Sequence, residues 1–475
     1  MAPTDGAAEG LAGPVIEVPG MTGLEAALAA ADDEALTGFY AARGFRAVWA
    51  ADGGAVAPER ARAFLAVVRE APEHALPMRR YQPEALAEAL GRPWDAAAEL
   101  LFTKSYLRYA RDVSSGVTEP RRLDRRMRVR PVRPAPVVLM EALAGAADLD
   151  AYLATLPPQD PDYARLMERL AALGALAAEG EAWGAPVGKG RSLQEGDSGL
   201  RVAALRERLI EKGDLERRYG AVPAVVLVAA EGAATEALPR PEERFDADLA
   251  DGVRRFQARH GLNTDGIVGP ATRAALNASP AERARQLAVN LERIRWNATR
   301  MAGDRIVVNL PDFRVRVIED ETTTYESRVV IGKFKHQTYE FSDEMEHMVV
   351  NPTWFVPMSI ARNEILPKLK ENPSYLEERN MRLVGADPAG VDWALVEPAD
   401  FPGRIRQAPG PGNALGDVKF MFPNDHAIYL HDTPQKGLFR RDNRAYSHGC
   451  IRVEKPAELA AHLLGAQTED GERAY

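Results

Sequence analysis

The feature that most limits the fold of this chain is a change of hydrophobic period near residue 300. Before it, apolar residues recur at spacings of three and four in segments such as LEAALAAADDEALTGFYAARGF and AAAELLFTKSYLRYARDV. Those segments are rich in Ala, Leu, Glu and Arg, so patterning and propensity both favour helix. After it, RIVVNLPDFRVRVIED, TTYESRVVIGK and HMVVNPTWFVP alternate or cluster β-branched residues between short turns, which is the pattern of strands. A chain of 475 residues also exceeds one ordinary core, and an α+β multidomain protein of two to four domains is expected.

Residues 1–22, rich in Ala, Gly and Pro, are expected to be disordered. A helical scaffold follows over residues 23–183, with Phe39, Tyr40, Phe45, Trp49, Phe102, Tyr106 and Tyr109 as its core aromatics. Within it, Arg121 to Arg133 places seven arginines in thirteen positions before Pro134 and Pro136. That composition reads as a solvated, proline-stiffened loop, with contact to an anionic polymer or to acidic faces of a neighbouring domain as the alternative. A Gly/Pro linker at residues 184–192 leads to a small unit over 193–277, in which Val202, Leu205 and Leu209 lie on one helix and Val253, Phe256 and Gln257 on another. Asp265, Gly266 and Gly269 make a turn there, and Thr272 is expected to cap the next helix. A linking helix at 281–300 precedes a β domain at 304–465, interrupted by a helical cap at about 359–405 and ending in a tail at 466–475.

Composition excludes several classes of function. With 60 basic and 69 acidic residues the formal charge is -9, which argues against a nucleic-acid partner. No apolar run approaches the roughly 18 residues of a membrane span, so the chain is peripheral to a membrane at most. The first residues, MAPTDGAAEGLAGP, show neither the positive nor the apolar region of an export signal, as in a mature form. The histidines His74, His260, His336, His347, His426 and His462 show no metal-ligand spacing. Neither a metal nor a cofactor is expected.

The only cysteine, Cys450, lies within RDNRAYSHGCIRVEKP, nineteen residues after His431 of HAIYLHDTP. A thiol near pKa 8.5 is little ionised at neutral pH, and an imidazole beside it can take the proton or form a thiolate–imidazolium pair. Adjacent strands, or a strand and a returning loop, would bring His431 and Cys450 together. His448, two residues from Cys450, could share its face on an extended chain, so spacing alone leaves both histidines open as the base. Gly449 permits positive φ before the nucleophile, and the amides of His448, Gly449 and Cys450 are candidate oxyanion donors. Arg452 is placed to bind a substrate carboxylate, or to pair with Asp432 or Glu454. Trp354 is either a wall of a donor pocket or a core residue, and Asp417 with Lys419 is expected to be a surface pair near the cap.

SHGCIRV preceded by YLHDTP resembles the signature of the L,D-transpeptidases, whose catalytic domain is the YkuD-type β-sandwich, over residues 304–465. Residues 193–277 resemble the three-helix peptidoglycan-binding domain, and the whole arrangement resembles the large YcbB-type members of the family. The resemblance implies Cys450 as acyl-enzyme nucleophile and His431 as general base. It also implies the Asp432 carbonyl as orienter of His431, Tyr429 beside the acyl site, and Ser447, His448 and Gly449 as support. The implied partners are peptidoglycan peptide stems and glycan strands, with carbapenems as inhibitors and the periplasm or cell envelope as location. The usual product of the family is the 3-3 cross-link, with 1-3 as another. An L,D-carboxypeptidase using the same cysteine, a non-catalytic wall-binding scaffold, and a zinc peptidase using His431, His448 and Cys450 are the competing readings.

Overall fold

The computed structural model describes residues 23–50, 58–178, 183–220, 240–298 and 303–466. The expectations for 1–22, for nearly all of the 466–475 tail and for most of the interruption inside the small domain fall outside them. Two compact units emerge. The first combines residues up to Glu119 with Arg130–Ala182 and Ser279–Met301, and the second combines Pro120–Val129, Trp183–Ala278 and Ala302 onward.

The first unit is all helix, built on Ala96–Ser115, where Asp95 caps the N-terminus by accepting from the Ala98 amide. Phe39, Tyr40, Trp49, Phe102, Tyr106 and Tyr109 are buried in one cluster with Phe45 packed against it. Each such ring contributes roughly 2–3 kcal/mol of burial. A carboxylate sits among them. Glu99 accepts from the Val48 amide at 2.6 Å, Trp94 Nε1 at 3.1 Å and the Tyr40 hydroxyl at 3.0 Å. The helix expected as a link, here Pro280–Asn297, belongs to this unit. It opens on a reciprocal Ser279–Glu282 cap, and its Glu292 Oε1 accepts from the Thr118 amide, the Thr118 hydroxyl and Trp296 Nε1.

The small domain of the second unit packs helices Leu200–Glu211, Ala247–Arg259 and Pro270–Asn277 around Val202, Leu205, Leu209, Val253 and Phe256. The side chain of Gln257 ties the Asp-Gly turn, donating to Asp265 Oδ1 and the Ile267 carbonyl and accepting from the Gly266 amide. Thr272 is not the helix cap expected of it. Gly269 holds that position ahead of Pro270, whose missing N–H needs no cap, and the Thr272 hydroxyl joins the Gln257 network.

Eleven strands follow among the described residues: β1 (Arg305–Asn309), β2 (Arg314–Glu319), β3 (Thr322–Gly332), β4 (His347–Val350), β5 (Trp354–Phe355), β6 (Met381–Val384), β7 (Arg404–Gln407), β8 (Val418–Met421), β9 (Leu430–His431), β10 (Ala445–Ser447) and β11 (Ile451–Val453). Eight form one sheet, seven along the path β1-β2-β3-β11-β9-β8-β4 and the eighth, β10, beside β3. Alternation sends Val315, Val317, Val329, Val418, Phe420, Leu430, Ile451 and Val453 into a single core, closed by Leu459 and Ala460 of the helix Pro456–Gly465.

The cap differs from the helical insertion expected. It carries its own antiparallel sheet, β5-β7-β6, and its own core of Ile365, Leu366, Leu369, Leu383, Trp393 and Ile405. Its helical part runs through a π turn at Ala361–Ile365. Pro367, just beyond, has no N–H to return to the Asn363 carbonyl, which favours the wider turn.

Candidate active site

β9 and β11 run parallel, with Leu430 opposite Ile451 and His431 opposite Arg452. Leu430 and Ile451 fill the core, so Tyr429, His431, Cys450 and Arg452 share the other face. Cys450 is the residue immediately before β11 and lies opposite Tyr429, whose carbonyl accepts from the Ile451 amide at 3.0 Å. His431, two positions beyond Tyr429, is its diagonal neighbour on that face. β9 also pairs with β8, which sets Lys419 directly opposite His431.

The His431 Nδ1 is hydrogen-bonded to the Asp432 carbonyl. That bond fixes the tautomer with the proton on Nδ1 and leaves Nε2 with a lone pair. Burial, followed by the charge of Arg452, brings the His431 pKa down to about 3. Burial pushes the Cys450 thiol up, against the pull of the Tyr429 amide and hydroxyl, Lys419 and Arg452. With the base lowered and the acid raised, a thiolate–imidazolium pair is uphill in the resting site. Sγ lies 3.5 Å from the Ala427 carbonyl. Burial raises the Tyr429 pKa against a lowering influence of Trp354 of β5, so its hydroxyl keeps its proton. Trp354 thus both packs on the cap core and reaches the site.

The turn into Cys450 is held from several sides. Gly449 has φ +118°, a conformation side chains rarely adopt. Its amide donates to Ser447 Oγ at 3.1 Å, and that hydroxyl donates to the Cys450 carbonyl at 2.6 Å. The Gly449 amide is therefore engaged within the turn and is withdrawn from the three oxyanion donors expected. The Gly449 carbonyl accepts from Thr338 Oγ1 at 2.7 Å, while the same oxygen accepts from the Gly332 amide at 3.0 Å. His448 Nε2 lies 2.5 Å from Glu364 Oε1 in the cap and 3.1 Å from Lys333 Nζ, which engages its ring away from the sulfur.

Arg452 pairs with neither Asp432 nor Glu454. Its Nη1 donates to Gln435 Oε1 at 2.7 Å, and its buried Nε meets no acceptor among the described residues. Asp432 instead holds Lys436 Nζ at 2.5 Å and the Asp417 amide at 3.0 Å. Asp417 and Lys419 do not form the expected surface pair. Asp417 is exposed, whereas Lys419 is part-buried with Nζ 4.0 Å from the Tyr429 ring centroid. Thr338, Glu364, Lys333 and Gln435 were absent from the sequence reading, and Lys419 was named there only as a surface residue. The alternation of VKFMF, with Val418 and Phe420 inward, was the one signal that could have turned Lys419 toward the site. Among the described residues, no three His, Cys, Asp or Glu side chains converge as metal ligands, and no helix is long and apolar enough to cross a membrane.

Comparison with known proteins bears on this face. Residues 303–469 match the YkuD family, described as an L,D-transpeptidase catalytic domain. Residues 34–170 match a scaffold domain, and 232–276 a domain described as "Putative peptidoglycan binding domain". A curated protein of Haemophilus influenzae, named "Putative L,D-transpeptidase", is 41% identical over 184 residues, covering 38% of this chain and 37% of that protein. The chain thus spans little more than a third of the length of that relative. The solved L,D-transpeptidase of Xylanimonas cellulosilytica matches over 57% of this chain and 90% of its own at 17% identity, with a TM-score of 0.16, too low to align the two folds. The β-rich part of the chain is a YkuD-type L,D-transpeptidase catalytic domain. The same chain joins it to a peptidoglycan-binding domain and a helical scaffold domain.

Proposed function

We propose that the protein is a peptidoglycan L,D-transpeptidase that works through a thioester on Cys450. The observation that carries this reading is the parallel pairing of β9 with β11, which puts a thiol, a neutral imidazole and an arginine on one face of a YkuD-type sheet. His431 Nε2 accepts the thiol proton as sulfur attacks the carbonyl of the L-centre in a tetrapeptide stem. The amides of His448 and Cys450 hold the oxyanion, since that of Gly449 is engaged by Ser447. Collapse expels D-alanine, whose amine takes the proton from His431, and leaves the thioester. An amine of a second stem then attacks, gives its proton to His431 and restores the thiol, completing a cross-link. The buried Nε of Arg452 supports a role in binding a stem carboxylate. Trp354 and Tyr429 line the acyl site from the cap and the sheet. A 3-3 link is the expected product, and the substrate places the protein in the cell envelope.

Incubation with purified muropeptides or a carbapenem, followed by intact mass, tests the reading. The wild type should gain one acyl adduct and Cys450→Ala none. A folded wild type that gains nothing, or an adduct that survives the substitution, would overturn it. Muropeptide products formed with and without an amine acceptor separate cross-linking from hydrolysis.

A further inference from the structure

Lys419 of β8, His431 of β9 and Arg452 of β11 form one row across three neighbouring strands, on the face that carries Cys450. The Lys419 ammonium is part-buried against the ring of Tyr429, 4.0 Å from its centroid. No carboxylate among the described residues pairs with it, and Asp417, two positions before, is exposed. Tyr429 lies opposite Cys450 in the β9–β11 register, its carbonyl accepting from the Ile451 amide at 3.0 Å. A lysine drawn out of water onto an aromatic face without an acidic partner is costly unless an anion forms nearby. The group that can become that anion is the thiol across the tyrosine. His431 is poorly suited to answer the charge, because it is buried, its Nδ1–H is engaged by the Asp432 carbonyl, and a cation stands on either side of it.

We infer that Lys419 is a positioning residue whose ammonium, seated on Tyr429, supplies the counter-charge to the Cys450 thiolate in place of a protonated histidine. The inference rests on reading Cys450 as the nucleophile. The charged or titratable groups facing the sulfur are Tyr429 and His431 on β9, Lys419 on β8 and Arg452 on β11. His448, on the turn itself, is engaged by Glu364 and Lys333.

Alkylation of the full chain by iodoacetamide across a pH series, followed by intact mass, reads the thiolate without any peptidoglycan. A sulfur–carbon bond forms, iodide leaves and the thiol proton passes to the buffer. Lys419→Met should move the alkylation midpoint up by about one pH unit, or roughly tenfold slower labelling at fixed pH, while Lys419→Arg keeps the wild-type profile. His431→Ala should leave the midpoint in place. Muropeptide acylation of Lys419→Met should recover as the pH is raised, which loss of a merely structural lysine would not produce. A midpoint unmoved by Lys419→Met, or raised instead by His431→Ala, overturns the inference. Lys419→Gln carries the same comparison if the methionine variant does not fold. A wild type that alkylates normally but takes no muropeptide would sink the transpeptidase reading alone, whereas a normal acyl-enzyme with no shift in Lys419→Met would sink only the role of Lys419.

Discussion

Two residues carry the chemistry proposed for the site, and their environments pull them in opposite directions. Burial and the Arg452 charge keep His431 neutral down to about pH 3, while burial holds the proton on Cys450. The base form of His431 is therefore already fully populated across the neutral range. Single-turnover adduct formation measured between pH 5 and 8 should show no inflection near 6.5, the ordinary histidine value; a clear acid limb centred there would mean that the imidazole titrates freely. Gly449 offers a second test. A Cβ added there meets nothing nearer than the Gln337 carbonyl at 3.9 Å, so Gly449→Ala suffers from its φ of +118° and not from a clash. Such strain costs about 1–3 kcal/mol. The variant should stay folded by circular dichroism yet acylate at least tenfold more slowly, because the turn that presents the sulfur relaxes. That His431 and Cys450 fall on neighbouring strands, and the positive φ of Gly449, could be read from YLHDTP and SHGCIRV. The Lys419 position could not, because it depends on the register between β8 and β9. Glu364 was equally hidden, since it reaches His448 from 84 residues away.

At the level of elements, the turn before Cys450 depends on β3 and the segment after it as much as on its own strand. Thr338 joins the two, accepting from the Gly332 amide and donating to the Gly449 carbonyl. Thr338→Val is nearly isosteric but leaves a buried donor and a buried acceptor unmet, a loss of roughly 2–4 kcal/mol. Urea unfolding should show that loss, and adduct formation should fall with it; unchanged stability would show that water or another group satisfies both. Long periodic segments made the helical unit and the small domain readable. The sheet of the cap was not, for its strands are two to four residues long and separated by Pro- and Gly-rich turns. Pattern needs several repeats before a period of two can be told from chance.

For the molecule as a whole, buried imidazoles make acid a selective stress. In the unfolded chain a histidine binds its proton near pH 6.5. In the catalytic domain His431 resists until about 3, so below 6.5 the unfolded form gains protons that the folded form lacks and stability falls with pH. The helical unit is better balanced. His74 is lowered to about 4 by burial, but buried Glu99 is raised, and a carboxyl that prefers its proton when folded gains stability as pH drops. Hydrogen exchange at pH 7.5 and 5.0, corrected for intrinsic rates, should show amides of residues 303–466 losing protection before those of the helical unit; the reverse order would contradict this assignment.

Between its two helical stretches the chain leaves the first unit for ten residues, Pro120–Val129, and joins the second. There the Arg128 amide donates to the Glu340 carbonyl at 2.7 Å, the Glu340 amide donates to the Arg126 carbonyl at 3.2 Å, and the Arg128 guanidinium covers the ring of Tyr339. The arginine-rich stretch is thus in part a backbone brace for Glu340, two residues from the threonine that holds the Gly449 carbonyl. Excising residues 303–469 as a free-standing fragment would preserve every residue proposed for the chemistry and still strip away a segment that stiffens their support. The boundary of the unit that carries this site therefore lies nearly two hundred residues upstream of where the YkuD match begins.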